Sequence, residues 1–165
     1  MTTATAKTMP DGIIDVVPGS PVLDIEREFN SSIERVFAAW TTSEGISAWM
    51  GPEGCTAPDA TCDARVGGRY CVPIQGPDGS LNTVRGTYHI VDAPHLLIFT
   101  WQWDQSDGSD GREMLVTVKF EDVKGKTRIS LHQVNFIDED ARNKHNFGWS
   151  STFDCLDLHL SKQGA

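Results

Sequence analysis

The stretch "DEDARNKHNFGWSSTFDCLDLHLSKQ", residues 138–163, changes character partway along. Trp149, Phe153, Leu156 and Leu160 recur at helical spacing and form an apolar stripe. One turn toward the N-terminus stand His145 and Asn146, and a further turn back stands Arg142. A histidine titrates near neutrality, so His145 could act there as a general acid or base. Other polar side chains also fall on faces that otherwise read as core: Arg27, Tyr70, Tyr88 and Gln133. A buried phenol, amide or guanidinium left without a hydrogen bond costs about 1–3 kcal/mol, more if charged. The set therefore points to water or a ligand inside the protein. Each residue taken singly also fits a sheet edge, with its polar end in solvent.

Other chemistry is sparse. No nucleophile–base–acid set, cofactor loop or zinc-type spacing is readable, so neither a metal nor a cofactor is expected. Catalysis in the same interior would fall to His145, Tyr88, Arg27 and Asp63. The aspartates Asp104, Asp107 and Asp110 in "DQSDGSDG" lack the alternate spacing of a calcium loop and read as a solvated turn. Cys55, Cys62, Cys71 and Cys155 form no CxxC pair, and "MTTATAKTMP" has no apolar secretory core. Four reduced thiols in the cytoplasm are the expectation.

The elements that must position these groups are mostly strands. In "LLIFTWQWD", residues 96–104, Leu97, Phe99, Trp101 and Trp103 alternate on one face. "EMLVTVKFE" repeats the pattern with Met114, Val116, Val118 and Phe120, and "TRISLHQVNF" with Ile129, Leu131 and Gln133. Gly86, within "NTVRGTYHIV", signals a bulge or bend. Leu23, Ile25, Arg27 and Phe29 share a face of the first strand. Two short helices follow. Ser31 with Glu34 suits a capping box for one, and Ser43 suits the N-cap of the other. "TAPDATCDA" reads as a weak strand, and Asp138 as the cap of the last helix, with Gly164 as its stop. The order is strand, two helices, six strands, one long helix. Short hairpins require antiparallel neighbours. The expected α+β architecture is a curved antiparallel sheet of about seven strands gripping the C-terminal helix. Residues 1–20 read as a mobile or loosely docked arm, and 21–165 as one domain.

The wall of the interior is expected to comprise Arg27, Trp49, Tyr70, Tyr88, Phe99, Trp101, Trp103, Met114, Val116, Gln133, His145, Trp149 and Phe153. A net charge of −9 disfavours nucleic acid and anionic membrane surfaces as partners. No apolar run approaches the length of a membrane span. A small hydrophobic or amphipathic molecule is the expected ligand.

The pieces "REFNSSIERVFAAWTT", "AWMGPEG", "DARVGGRY", "GPDG", "RGTYHIVDAPHLLIFTW", "KTRISLHQ" and "FGWSSTFDCLDLHL" occur in an order that resembles a known superfamily. It is the Bet v 1-like, or START-like (SRPBCC), group of helix-grip proteins. Within it, the chain is similar to bacterial single-domain relatives of the C-terminal domain of the activator of Hsp90 ATPase. The resemblance spans about residues 23 to 160. It places Arg27, Asp63, Gly67, Gly68, Gly86, Tyr88, Gly148 and Trp149 on family positions. Trp49-Met50 departs from a frequent Trp pair, and Gln133 stands where histidine is frequent. The resemblance implies a ligand cavity between sheet and helix, and cyclases, dehydratases and hydrolases share the fold. Gly67-Gly68 reads as turn geometry, and Gly148 as a site of close packing beside Trp149. No additional N-terminal chaperone-gripping domain is readable, so Hsp90 is not expected as a partner.

Overall fold

The computed structural model describes residues 13–104 and 112–163. Asp107, Asp110, Gly164 and the first twelve residues lie outside them. Seven strands form one antiparallel sheet: β1 (Val22–Phe29), β2 (Thr61–Cys62), β3 (Arg69–Gln75), β4 (Leu81–Asp92), β5 (Leu96–Trp103), β6 (Met114–Val123) and β7 (Lys126–Val134). Their spatial order is β1-β7-β6-β5-β4-β3-β2. Helices α1 (Ile33–Thr41) and α2 (Ser43–Trp49) connect β1 to β2, and α3 (Glu139–Gln163) closes the chain.

Period-two alternation sets the inner face. Leu97, Phe99 and Trp101 on β5, Met114, Val116, Val118 and Phe120 on β6, and Ile129, Leu131 and Gln133 on β7 are all buried. Onto this face α3 sets Trp149, Phe153, Leu156 and Leu160, each at most 4% exposed. Phe153 is fully buried and meets Phe29 edge-on at 5.8 Å. It also meets Trp149 at 5.8 Å and Trp40 at 6.2 Å. The Arg27 guanidinium stands 5.7 Å above its ring. This ring holds α1, β1 and α3 together.

Several local features differ from the sequence reading. The N-cap of α1 is Ser32, whose hydroxyl accepts from the Arg35 amide; Ser31, one residue earlier, is buried instead. The N-cap of α2 is Thr42, accepting from the Gly45 amide. Ser43 has moved into the helix, and its hydroxyl accepts from the Cys62 amide at 3.0 Å. In both cases extended backbone at the cap residue, rather than residue type, chose between neighbouring hydroxyls. The weak strand around residues 56–64 reduces to Thr61–Cys62 plus a single bridge from Thr56 to Gln75. The register shift of β4 lies between Tyr88 and Ile90, not at Gly86. Gly86 serves a different need. A Cβ there would stand 1.9 Å from the Thr100 carbonyl oxygen and 2.7 Å from the Tyr70 ring.

The segment from Ile13 to Val17 touches the outer face of the sheet at a few points, its residues 15–17 remaining exposed. Ile13 and Ile14 pack on a small cluster of Ile98, Leu115 and Val134. Asn135, at φ 79°, fastens this segment. Its side chain accepts from the Val17 amide at 3.0 Å and donates to the Asp15 carbonyl at 3.1 Å. Among the described residues, no helix is long and apolar enough to cross a membrane.

Phe153→Ala is expected to destabilise the fold by about 3–5 kcal/mol, because the site is enclosed on every side. Urea unfolding checks this as a lower midpoint at unchanged slope.

Candidate functional site

A cavity of about 230 Å³ opens between the sheet and residues 144–152 of α3. Trp101 and Trp103 of β5 and Ile74 of β3 form the sheet side. Met50, Gly51 and Pro52, just after α2, form one flank. Lys144, His145, Gly148, Trp149 and Thr152 of α3 form the other. The helical residues follow two i, i+4 rows, Lys144–Gly148–Thr152 and His145–Trp149, so they share one face. Outside the mouth, a more polar groove continues past Cys55, Asn82, Thr83 and Asp104.

Of the expected wall residues, Trp101, Trp103, His145 and Trp149 line this cavity. The others stand elsewhere. Tyr70, Tyr88 and Phe99 make a three-ring cluster with centroids 5.5 to 5.8 Å apart. Met114, Val116, Phe153 and Trp49 sit in the packed core. Gln133 is fully buried beneath α3. Arg27 lies on the inner face, two-thirds covered, next to α3.

The inward polar groups do not depend on a ligand, contrary to the sequence expectation. Arg27 donates to an Asp154 carboxylate oxygen at 2.6 Å and to the Ser150 carbonyl at 3.2 Å. Tyr70 donates to the Thr100 carbonyl, and the Tyr88 hydroxyl meets Cys62 Sγ at 3.1 Å. Gln133 Oε1 accepts from Trp149 Nε1 at 2.8 Å, while its amide nitrogen meets Met114 Sδ at 3.5 Å. These partners come from elements distant in sequence, which no local pattern could reveal.

His145 is held just as firmly. Its Nε2 is 3.0 Å from Trp103 Nε1, and its Nδ1 is 2.8 Å from the Ala141 carbonyl oxygen. An indole nitrogen only donates and a carbonyl only accepts. Nε2 must therefore be the bare nitrogen, and Nδ1 must carry the proton. Burial, opposed in part by the Ala141 bond, pushes this histidine below its ordinary range. The remaining acid–base candidates are similarly occupied. Burial and the Cys62 contact push the Tyr88 phenol far up, and Asp63 pairs with Arg65 at 2.9 Å. Burial also raises the Cys62 and Cys155 thiols, against the activation a cysteine nucleophile needs. Among the described residues, no group of three or more His, Cys, Asp or Glu side chains could hold a metal ion.

Gly148 meets nothing within 4 Å where a Cβ would stand. It is therefore not the point of close packing expected from the sequence. It widens the cavity instead. Gly67, at φ 85°, and Gly68, whose Cβ would meet the Asp63 carbonyl oxygen at 1.9 Å, do form a tight turn. That turn exchanges backbone hydrogen bonds with Tyr88. Sequence reasoning missed Met50, Gly51, Pro52, Ile74, Lys144, Gly148 and Thr152 as cavity residues. The last of these, with Lys144, was reachable by extending the helical row through Gly148. The flank from Met50 to Pro52 had no comparable signal.

The family model for Activator of Hsp90 ATPase homolog 1-like protein matches residues 30–161. Among solved structures, the AHSA1 protein from Silicibacter pomeroyi superposes with a TM-score of 0.80 at 28% identity, covering 87% of this chain and 99% of that one. A Staphylococcus epidermidis protein gives a TM-score of 0.74 at 24% identity, covering 91% and 95%. A Chromobacterium violaceum protein gives 0.76 at 20% identity, covering 84% and 96%. No curated protein matches.

Two outcomes are expected at this site. Gly148→Ala should raise stability by about 1 kcal/mol, since the helix gains propensity and no atom is crowded. A thermal melt would show it as a higher Tm. His145 is depressed in the folded state, so the unfolded chain takes up its proton first as pH falls. Its contribution is intact above the unfolded value of about 6.5 and declines below it. Unfolding followed from pH 7.5 to 5 should therefore show a steeper loss for the native chain than for His145→Gln.

Proposed function

The chain belongs to the family of activator of Hsp90 ATPase homolog 1-like proteins, and on that scaffold we propose that it binds a small hydrophobic or amphipathic molecule between β5 and α3. The observation that carries this reading is the cavity of about 230 Å³ walled by Trp101, Trp103, Trp149, Met50 and Ile74. Concave, mostly apolar space with a few polar groups is what small-molecule sites offer. Gly148 supports the same reading. A glycine inside a helix costs about 1 kcal/mol, and here no packing contact offsets it. Open volume is what it provides.

The polar groove beyond the mouth suits an amphipathic ligand. The apolar end would enter among the tryptophans, and the polar end would lie near Lys144 and Thr83. Binding is favoured over catalysis because His145 has both ring nitrogens engaged. Four cysteines without a disulfide are in keeping with a reducing compartment such as the cytoplasm.

The test is a thermal-shift series with bicyclic arenes, run on the native chain and on Gly148→Leu. That leucine would occupy the cavity. A probe at ten times its Kd should stabilise the native chain by about 1.4 kcal/mol and leave Gly148→Leu unmoved. Equal shifts in both proteins, or none in the native chain, would remove the cavity as a binding site.

A further inference from the structure

Thr152 lines the cavity and is 4% exposed. The hydroxyl of a helical serine or threonine often donates to the carbonyl four residues back. Thr41 and Thr42 do so at the end of α1, at 2.8 and 3.0 Å, and Ser161 does so on α3, at 2.9 Å. The Thr152 hydroxyl makes no such bond and has no other partner among the described residues. Trp101 Nε1 also lacks a partner, but it is closed to any water-sized atom. The Thr152 hydroxyl is not closed off in this way. The other polar side chains of the lining are engaged: Trp103 with His145, His145 with Ala141, Trp149 with Gln133 and Lys144 with Asp140.

The direction of Thr152 follows from the helix. Each Cα–Cβ bond leans toward the helix N-terminus, so this side chain stands over the turn of Gly148. Where a Cβ on Gly148 would be, nothing lies within 4 Å. Thr152 therefore faces open space. One turn further along the same row, Leu156 is fully buried, which makes Thr152 the floor of the cavity. Lys144, at the other end of the row, is about 12 Å away along the axis. It belongs to the mouth, since it also borders the outer groove.

Resting on the binding reading above, we infer that the ligand is a neutral, ring-sized molecule whose inner end carries one hydrogen-bonding oxygen, a hydroxyl or carbonyl, held by Thr152 Oγ1. An apolar cavity of about 150 Å³ takes up benzene, so about 230 Å³ suits one or two fused rings. A wholly apolar end seated on the floor would shut the hydroxyl away without a partner, a state folded proteins avoid. A hydroxyl both donates and accepts, so it serves either oxygen. A charged inner end is disfavoured, because Met50, Gly51 and Trp149 offer no counter-charge and Lys144 stands at the mouth.

Indane and 5-indanol share one ring frame and differ by one phenolic hydroxyl. Calorimetric titration gives the ratio of their dissociation constants, indane over indanol. That ratio should be about five- to tenfold larger for the native chain than for Thr152→Val, the range of one net hydrogen bond. Valine keeps the shape of threonine and removes the hydroxyl. Thr152→Ser, which retains it, should keep the native ratio. With methyl-labelled threonine in the native chain, nuclear Overhauser contacts should join the Thr152 methyl to the indanol ring protons beside the hydroxyl. These contacts stand whether or not a variant folds. Equal ratios in the native chain and Thr152→Val, or contacts from Thr152 to the saturated ring instead, would overturn this inference while leaving the cavity a binding site. Failure of both probes to bind the native chain would overturn both.

Discussion

One helix cannot cover seven strands. Strands about 4.8 Å apart make a sheet roughly 29 Å across, whereas a helix with its side chains is about 10 Å wide. Curvature brings the sheet around α3, and α1 and α2 fill one side, yet the inner surface still exceeds what a single apolar stripe can meet. The C-terminal half of α3 solves the problem by packing. Trp149, Phe153, Leu156 and Leu160 are almost wholly buried there. The N-terminal half leaves it open, and the remaining volume is the cavity.

The boundary between the two halves falls at Trp149. Its ring packs on Trp101 at 5.0 Å and on Phe153 at 5.8 Å. Its N–H is anchored to Gln133 in the sheet floor. Toward the core, aromatic edges and faces fill the space. Toward the mouth, Gly148 withdraws from it, and the bond between Trp103 and His145 holds the far wall. The cavity thus has two tryptophans fixed by hydrogen bonds and one, Trp101, fixed by packing alone. The buried amide of Gln133 supplies the acceptor that the Trp149 indole N–H needs.

The outer face of the sheet follows a different logic. Ile98, Leu115 and Val134 point away from α3 and would be exposed if nothing covered them. Ile13 and Ile14 do so, with Asn135 as the clasp. Ile13 and Ile14 therefore belong to a second, minor packing surface, while Val16 and Val17 stay exposed.

The sequence by itself determined the elements, their order and their inner faces. Period-two runs such as Leu97-Phe99-Trp101-Trp103 and the helical row from Trp149 to Leu160 specify which side of each element is buried, because side-chain direction follows backbone period. Short hairpins then make β2 to β7 neighbours in turn, whereas the pairing of β1 with β7 joins segments distant in sequence and was left to the tertiary structure. The resemblance to helix-grip proteins rested on the same residues. What only the tertiary structure decided was how each polar group is satisfied. Arg27 with Asp154, Trp149 with Gln133 and Trp103 with His145 are pairs between distant segments, chosen by distances that sequence spacing does not encode. The same reason hid the cavity's location. Whether Phe99 or Trp101 meets a neighbour or open space depends on where α3 crosses β5, and periodicity fixes a face but not a crossing point.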